Sequence, residues 1–102
     1  MKENQIMVMI KQPGKAPELD PLFPNTLEAF QEAVGGYIET VTLSPEIVII
    51  CNEEGKPKGL PYNVTIGHED FVGTILVAGV KEDEFVSLRA AAIPFVRSLL
   101  GS

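Results

Sequence analysis

The chain has one cysteine, Cys51. An intramolecular disulfide and any multi-cysteine metal knuckle are therefore excluded. One histidine, His68, leaves no two-histidine zinc motif. Positive charge is scarce: eight basic residues face fourteen acidic ones, for a net charge of −6. The basic residues are scattered from Lys2 to Arg97 and form no stripe. A nucleic-acid binder must neutralise phosphates, so direct nucleic-acid binding is not expected. Long hydrophobic runs are also missing. Ile6–Ile10 is apolar but is followed at once by Lys11, with no small-residue cleavage site, unlike a signal peptide. Nothing approaches the ~20 apolar residues of a membrane helix. A reducing, cytoplasmic setting is expected, in which the sequon Asn63-Val64-Thr65 carries no meaning.

What is present suits one folded domain spanning residues 1–102, with 45% hydrophobic and 22% charged residues. Ile6–Ile10 reads as a strand buried on both faces. Residues 12–24 hold four prolines, which exclude a helix or an inner strand and suggest a loop. Asn25 with Glu28 resembles a capping box opening a helix. Leu27, Phe30 and Val34 form its apolar face, and Gly35-Gly36 ends it. Residues 37–43 alternate as a strand with one wet face, and Ile47–Cys51 reads as a central strand. Asn52-Glu53-Glu54-Gly55 suggests a hairpin turn into a weak return strand over 56–60, confined by Pro57 to an edge. Residues 61–70 read as a polar loop. Residues 71–81 form a further strand, with Gly73 and Gly79 marking a bulge or a close backbone approach. Lys81–Phe85 is an acidic turn. Ser87 can cap a final helix over 88–100, with Leu88, Ala92, Phe95, Val96 and Leu99 as its stripe and Pro94 as a kink.

The order β-α-β-β-(β)-β-α predicts an α+β fold with a mixed, mostly antiparallel sheet of four to five strands and two helices. Three strands are apolar on both faces, yet two helices cover one face. Covering the other requires the long loops or a second subunit, so self-association as a homodimer is expected.

No catalytic set emerges. Cys51, His68 and Asp70 suggest nucleophile, base and orienter. A reactive thiol, however, needs an electropositive setting, whereas Cys51 ends an apolar strand and is followed by Glu53 and Glu54, which would raise its pKa. His68, Glu69 and Asp70 lack the spacing of a metal site, and Glu82-Asp83-Glu84 lacks that of a calcium loop. Gly35-Gly36 stands in the wrong order for a dinucleotide fingerprint. No metal or cofactor is expected. A ligand site, if one exists, is expected in the polar segment from Asn52 to Asn63. Its candidate residues are Asn52, Glu53, Lys56, Tyr62 and Asn63, with His68 nearby; Asn52 and Asn63 can equally fix loops by bonding backbone groups.

The stretch Thr26-Leu27-Glu28-Ala29, then Val34-Gly35-Gly36-Tyr37-Ile38-Glu39, resembles the bacterial and phage domain-of-unknown-function family numbered 3846. The likeness continues through Cys51-Asn52-Glu53-Glu54-Gly55-Lys56, Gly59-Leu60-Pro61-Tyr62-Asn63 and Gly73-Thr74, and covers residues 5–88. It implies a small protein of bacterial, phage or mobile-element genomes and carries over no catalytic residue. The proline-rich segment 12–24 and the alanine-rich last helix depart from the family pattern. The residues read best as a non-catalytic protein-interaction or regulatory module, with a protein partner or a second copy. The alternative is a small ligand-binding protein or enzyme, in which Asn52, Glu53, Asn63 and His68 converge on a pocket.

Overall fold

The computed structural model describes residues 3–101. Its main sheet is antiparallel in every pairing, with the order β2-β1-β7-β4-β3. These strands are β1 (Gln5–Lys11), β2 (Glu18–Pro24), β3 (Ile38–Ser44), β4 (Ile47–Asn52) and β7 (Ile75–Lys81). β8 (Glu84–Val86) folds back on the far half of β7. The helix α1 (Leu27–Val34) packs on one face. A separate hairpin, β5 (Tyr62–Ile66) with β6 (Glu69–Val72), and the C-terminal helix α2 (Ile93–Leu99) pack on the other.

The continuously apolar strands divide their side chains between these faces, because successive residues point to opposite sides. Ile6 and Val8 of β1, Val48 and Ile50 of β4, and Leu76 and Ala78 of β7 meet α1 through Phe30 and Val34. Phe30 packs between Phe23, tilted against it, and Phe85, edge to face, at centroid distances of 4.9 and 5.0 Å. The alternate residues Met9, Ile49, Cys51, Ile75 and Val77 meet Phe71 of the hairpin and Leu88, Val96 and Leu100. Both faces are thus covered within one chain, and the unburied face that called for a second subunit is not there.

Several local expectations change. The proline-rich segment contains β2, an outer strand; Pro21 and Pro24 fit because an edge residue need not donate to a ladder. The cap of α1 is Thr26, whose hydroxyl accepts from the Ala29 amide at 3.1 Å, while Asn25 is buried and donates to the carbonyls of Glu3 and Phe85. Leu27 is exposed rather than buried. No return strand forms over 56–60; consecutive turns run through those residues. The supposed polar loop 61–70 contains β5 and most of the β5–β6 hairpin. Gly67 has φ +65°, as the first central residue of a type II′ turn requires. The strand expected over 71–81 is two strands, β6 and β7, parted at Gly73-Thr74. Ser87 does not cap a helix. Its hydroxyl accepts from the Met7 amide, a 3-10 turn follows at Ala90–Ala92, and Phe95 is exposed. Gly79 meets the close approach expected of it: a Cβ there would lie 2.5 Å from the Ser87 carbonyl oxygen.

Candidate functional site

The end of β4, the turns after it and the β5–β6 hairpin bound a cleft of about 270 Å³. Its charged lining is Glu39 from β3, Glu53 and Lys56 from the turns, and Glu69 and Asp70 from β6; Cys51 also lines it. Glu39 and Cys51 are cross-strand partners. Lys56 Nζ stands 3.9 Å from Glu69 Oε2, an exposed pair. One ammonium thus stands among these carboxylates, of which Asp70 accepts from the Thr65 hydroxyl on the outer face of the hairpin, and the cleft is electronegative.

Burial is the first cause that pushes the Cys51 thiol up to about 11. The charges of Glu39 and Glu69 push in the same direction, and Lys56 opposes them. The thiol also donates a long contact, 3.7 Å, to the Glu39 carbonyl. At neutral pH it is protonated and a poor nucleophile.

Asn52 and Asn63 are braces. Asn52 Nδ2 donates to the Val34 carbonyl at 3.0 Å, and its Oδ1 accepts from the Glu54 amide at 2.8 Å, tying the end of α1 to the turn after β4. Asn63 Nδ2 donates to the carbonyls of Lys11 (2.8 Å) and Gly73 (2.7 Å), which pins the base of the hairpin to the end of β1. Its Oδ1 is buried without a hydrogen-bond partner.

The six residues singled out in the sequence therefore separate. Asn52, Glu53 and Lys56 line the cleft. Asn63 is buried at the hairpin base. Tyr62 is exposed and shares a hydrogen bond of 2.7 Å with the Thr65 hydroxyl, which donates to Asp70. His68 sits exposed in the Gly67-His68 turn at the hairpin tip. The convergence of Asn52, Glu53, Asn63 and His68 required by the ligand-pocket alternative is not what the fold produces. Among the described residues, no group of three or more His, Cys, Asp or Glu side chains can hold a metal ion.

Glu39 is absent from that set of six, although a carboxylate sharing a strand face with Val41 and Leu43 is a visible anomaly. Glu69 and Asp70 join the cleft because residues 62–72 form a hairpin, which Gly67 between two short β-prone runs signals.

Beside the cleft runs the outer edge of β3. Among the described residues, no strand pairs with it. The Glu53 amide donates to the Tyr37 carbonyl at 2.8 Å. By the alternation of an antiparallel ladder, the backbone groups of Ile38, Thr40 and Thr42 then face away from β4, into the open. The opposite edge, β2, carries Pro21 and Pro24 and a shift of register opposite β1.

An antiparallel α+β sheet whose β3 edge lies beside an acidic cleft defines the class of protein, a small two-faced sheet domain. The family model for a domain of unknown function, DUF3846, matches residues 4–99, and the chain belongs to that family. Comparison with curated proteins and with solved structures returns no match. No helix among the described residues is long and apolar enough to cross a membrane.

Proposed function

We propose that this protein is a non-catalytic protein-interaction module of a bacterial, phage or mobile-element cytoplasm, and that its β3 edge is the interacting element. The observation carrying this reading is the open ladder at Ile38, Thr40 and Thr42. Such an edge is a template for strand addition, in which main-chain bonds supply affinity. Natural sheets blunt their edges with prolines, bulges and lysines. β2 carries two prolines and an irregularity in mid-strand, whereas β3 has neither proline nor lysine and its register shift falls at its far end, between Thr42 and Ser44. Exposed Tyr37, 70% accessible, stands just before β3 and adds apolar area to the rim.

A second copy is the other occupant such an edge admits, by β3–β3 pairing across a two-fold axis. Antiparallel pairing centred on Thr40 sets the two Glu39 side chains on one face, where like charges repel. The net charge of −6 on each chain adds to the repulsion. A heterologous partner is therefore favoured over the homodimer.

The test is selection of displayed random peptides against the wild type and against Thr40→Pro. The Thr40 amide points outward, so proline there spares the β3–β4 ladder. Enrichment of extended sequences on the wild type alone supports the reading. Equal enrichment on both, or none, overturns it.

A further inference from the structure

We infer that the segment added to β3 is basic, with an arginine or lysine side chain entering the cleft beside Glu39. This inference rests on the edge reading above and specifies the partner's chemistry.

Three separate features lead to it. The edge offers backbone donors and acceptors to an extended chain, whatever its sequence. Opposed residues of neighbouring strands project to the same face, so the residue added opposite Glu39 projects toward the hairpin side of the sheet, as Glu39 does. The cleft opens there, lined by Glu39, Glu53, Glu69 and Asp70 against one ammonium. Its floor at Cys51 lies one strand inward, in register with Glu39. About 270 Å³ is enough to take the long stem and charged head of one basic side chain. The electronegative setting, in which Glu39 and Glu69 add to the effect of burial on the Cys51 thiol, favours a guanidinium or ammonium over any acidic group.

Cys51 also supplies a reporter, as the single cysteine of the chain and a lining residue of the cleft. Binding is measured with three soluble peptides alternating Thr with Val. The first carries one central Arg, the second Gln at that position and the third Glu. Titrations follow the backbone amides of Ile38, Thr40 and Thr42 and the rate of Cys51 alkylation. The expected order of affinity is Arg above Gln above Glu, with alkylation slowed most by the Arg peptide. Glu39→Gln with Glu69→Gln lowers the affinity of the Arg peptide by about five- to tenfold, two charge pairs' worth, and leaves the Gln peptide within about twofold. Salt weakens the Arg peptide selectively.

If all three peptides bind equally and the double variant changes nothing, the basic-partner inference is overturned while the edge reading stands. If no peptide shifts the β3 amides, both fall. If light scattering finds a dimer that Thr40→Pro or Thr42→Pro dissociates, the edge belongs to a second copy and the basic-partner inference is overturned.

Discussion

Replacing Asn63 by Asp separates a brace from a ligand-binding amide. The wild-type Nδ2 donates to two carbonyls, those of Lys11 and Gly73, and the residue is 8% exposed. Aspartate keeps the shape and loses both donors. Each lost bond removes about 1 kcal/mol net, and each carbonyl left buried without a donor costs about 1–3 kcal/mol, which includes that loss. Two such sites give a destabilisation of about 2–6 kcal/mol at neutral pH, a large share of the ~5–15 kcal/mol that stabilises a domain. A carboxylate oxygen set against two carbonyl oxygens is also penalised electrostatically. Its folded pKa therefore rises above the unfolded value of about 3.9. A raised folded pKa means that stability is retained below the unfolded value and lost as pH rises through the folded one. The deficit relative to wild type should thus be smaller near pH 4 than near pH 7, because the protonated acid can donate one bond. The assay is urea denaturation followed by circular dichroism at both pH values, with Asn63→Ala as the control that is destabilised without this pH dependence. A loss under about 1 kcal/mol at pH 7, or equal deficits at both pH values, would refute the brace.

Two further outcomes are expected. Glu82 and Asp83 form the two-residue β7–β8 turn with φ of 52° and 66°, the left-handed pair of a type I′ turn, which Asn-Gly fits far better. Glu82→Asn with Asp83→Gly should raise stability by about 1 kcal/mol after the entropy that glycine adds to the unfolded chain, and the midpoint by about 4–8 °C; an unchanged midpoint in a thermal scan would count against strain there. The Cys51 thiol, pushed from 9.0 to about 11, should show about a hundredfold less thiolate near pH 8 than an unperturbed thiol, read as slow alkylation in the intact fold. Its raised value also means that stability is held below pH 9.0 and declines as pH rises through about 11. Cys51→Ala should lose that part of the decline in pH-dependent urea melts, and a decline identical to wild type would contradict the burial.

The fold was legible where one physical cause dominates the sequence. Strands β1, β4 and β7 announce themselves because burial on both faces leaves no polar position in their cores. The end of α1 is legible for a similar reason: Gly35 takes a left-handed cap that other residues avoid. Elements built from weak, short signals were not legible. β2 is hidden by its prolines, since a proline-rich run reads as loop until something shows that its partner lies on one side only. The β5–β6 hairpin is hidden because its strands are short and half polar: one face packs on the sheet while the other carries Thr65 and Asp70 to solvent. Without that hairpin one sheet face is bare and calls for a second subunit, and Glu69 and Asp70 lie in a loop instead of on the cleft wall. The polar character of the Asn52–Asn63 segment was legible, but the direction of its side chains was not. Whether an asparagine braces the fold or presents its amide to a ligand depends on which carbonyl lies across from it, and those carbonyls come from Val34, Lys11 and Gly73.

The two edges of the sheet differ in how they resist association, and the difference bears on function. β2 is blunted by two prolines, which cannot donate, and by a shift of register. β3 keeps its donors and acceptors, and its sole charge is Glu39. A carboxylate at an edge discriminates by sign: it penalises an identical acidic chain and admits a strand that brings a cation. With Glu53, Glu69 and Asp70 gathered nearby and a net charge of −6 behind them, that discrimination extends beyond one cross-strand pair. Under the strand-addition proposal, acidity, which in the composition alone means little more than solubility, works at this edge against self-pairing and in favour of a basic partner.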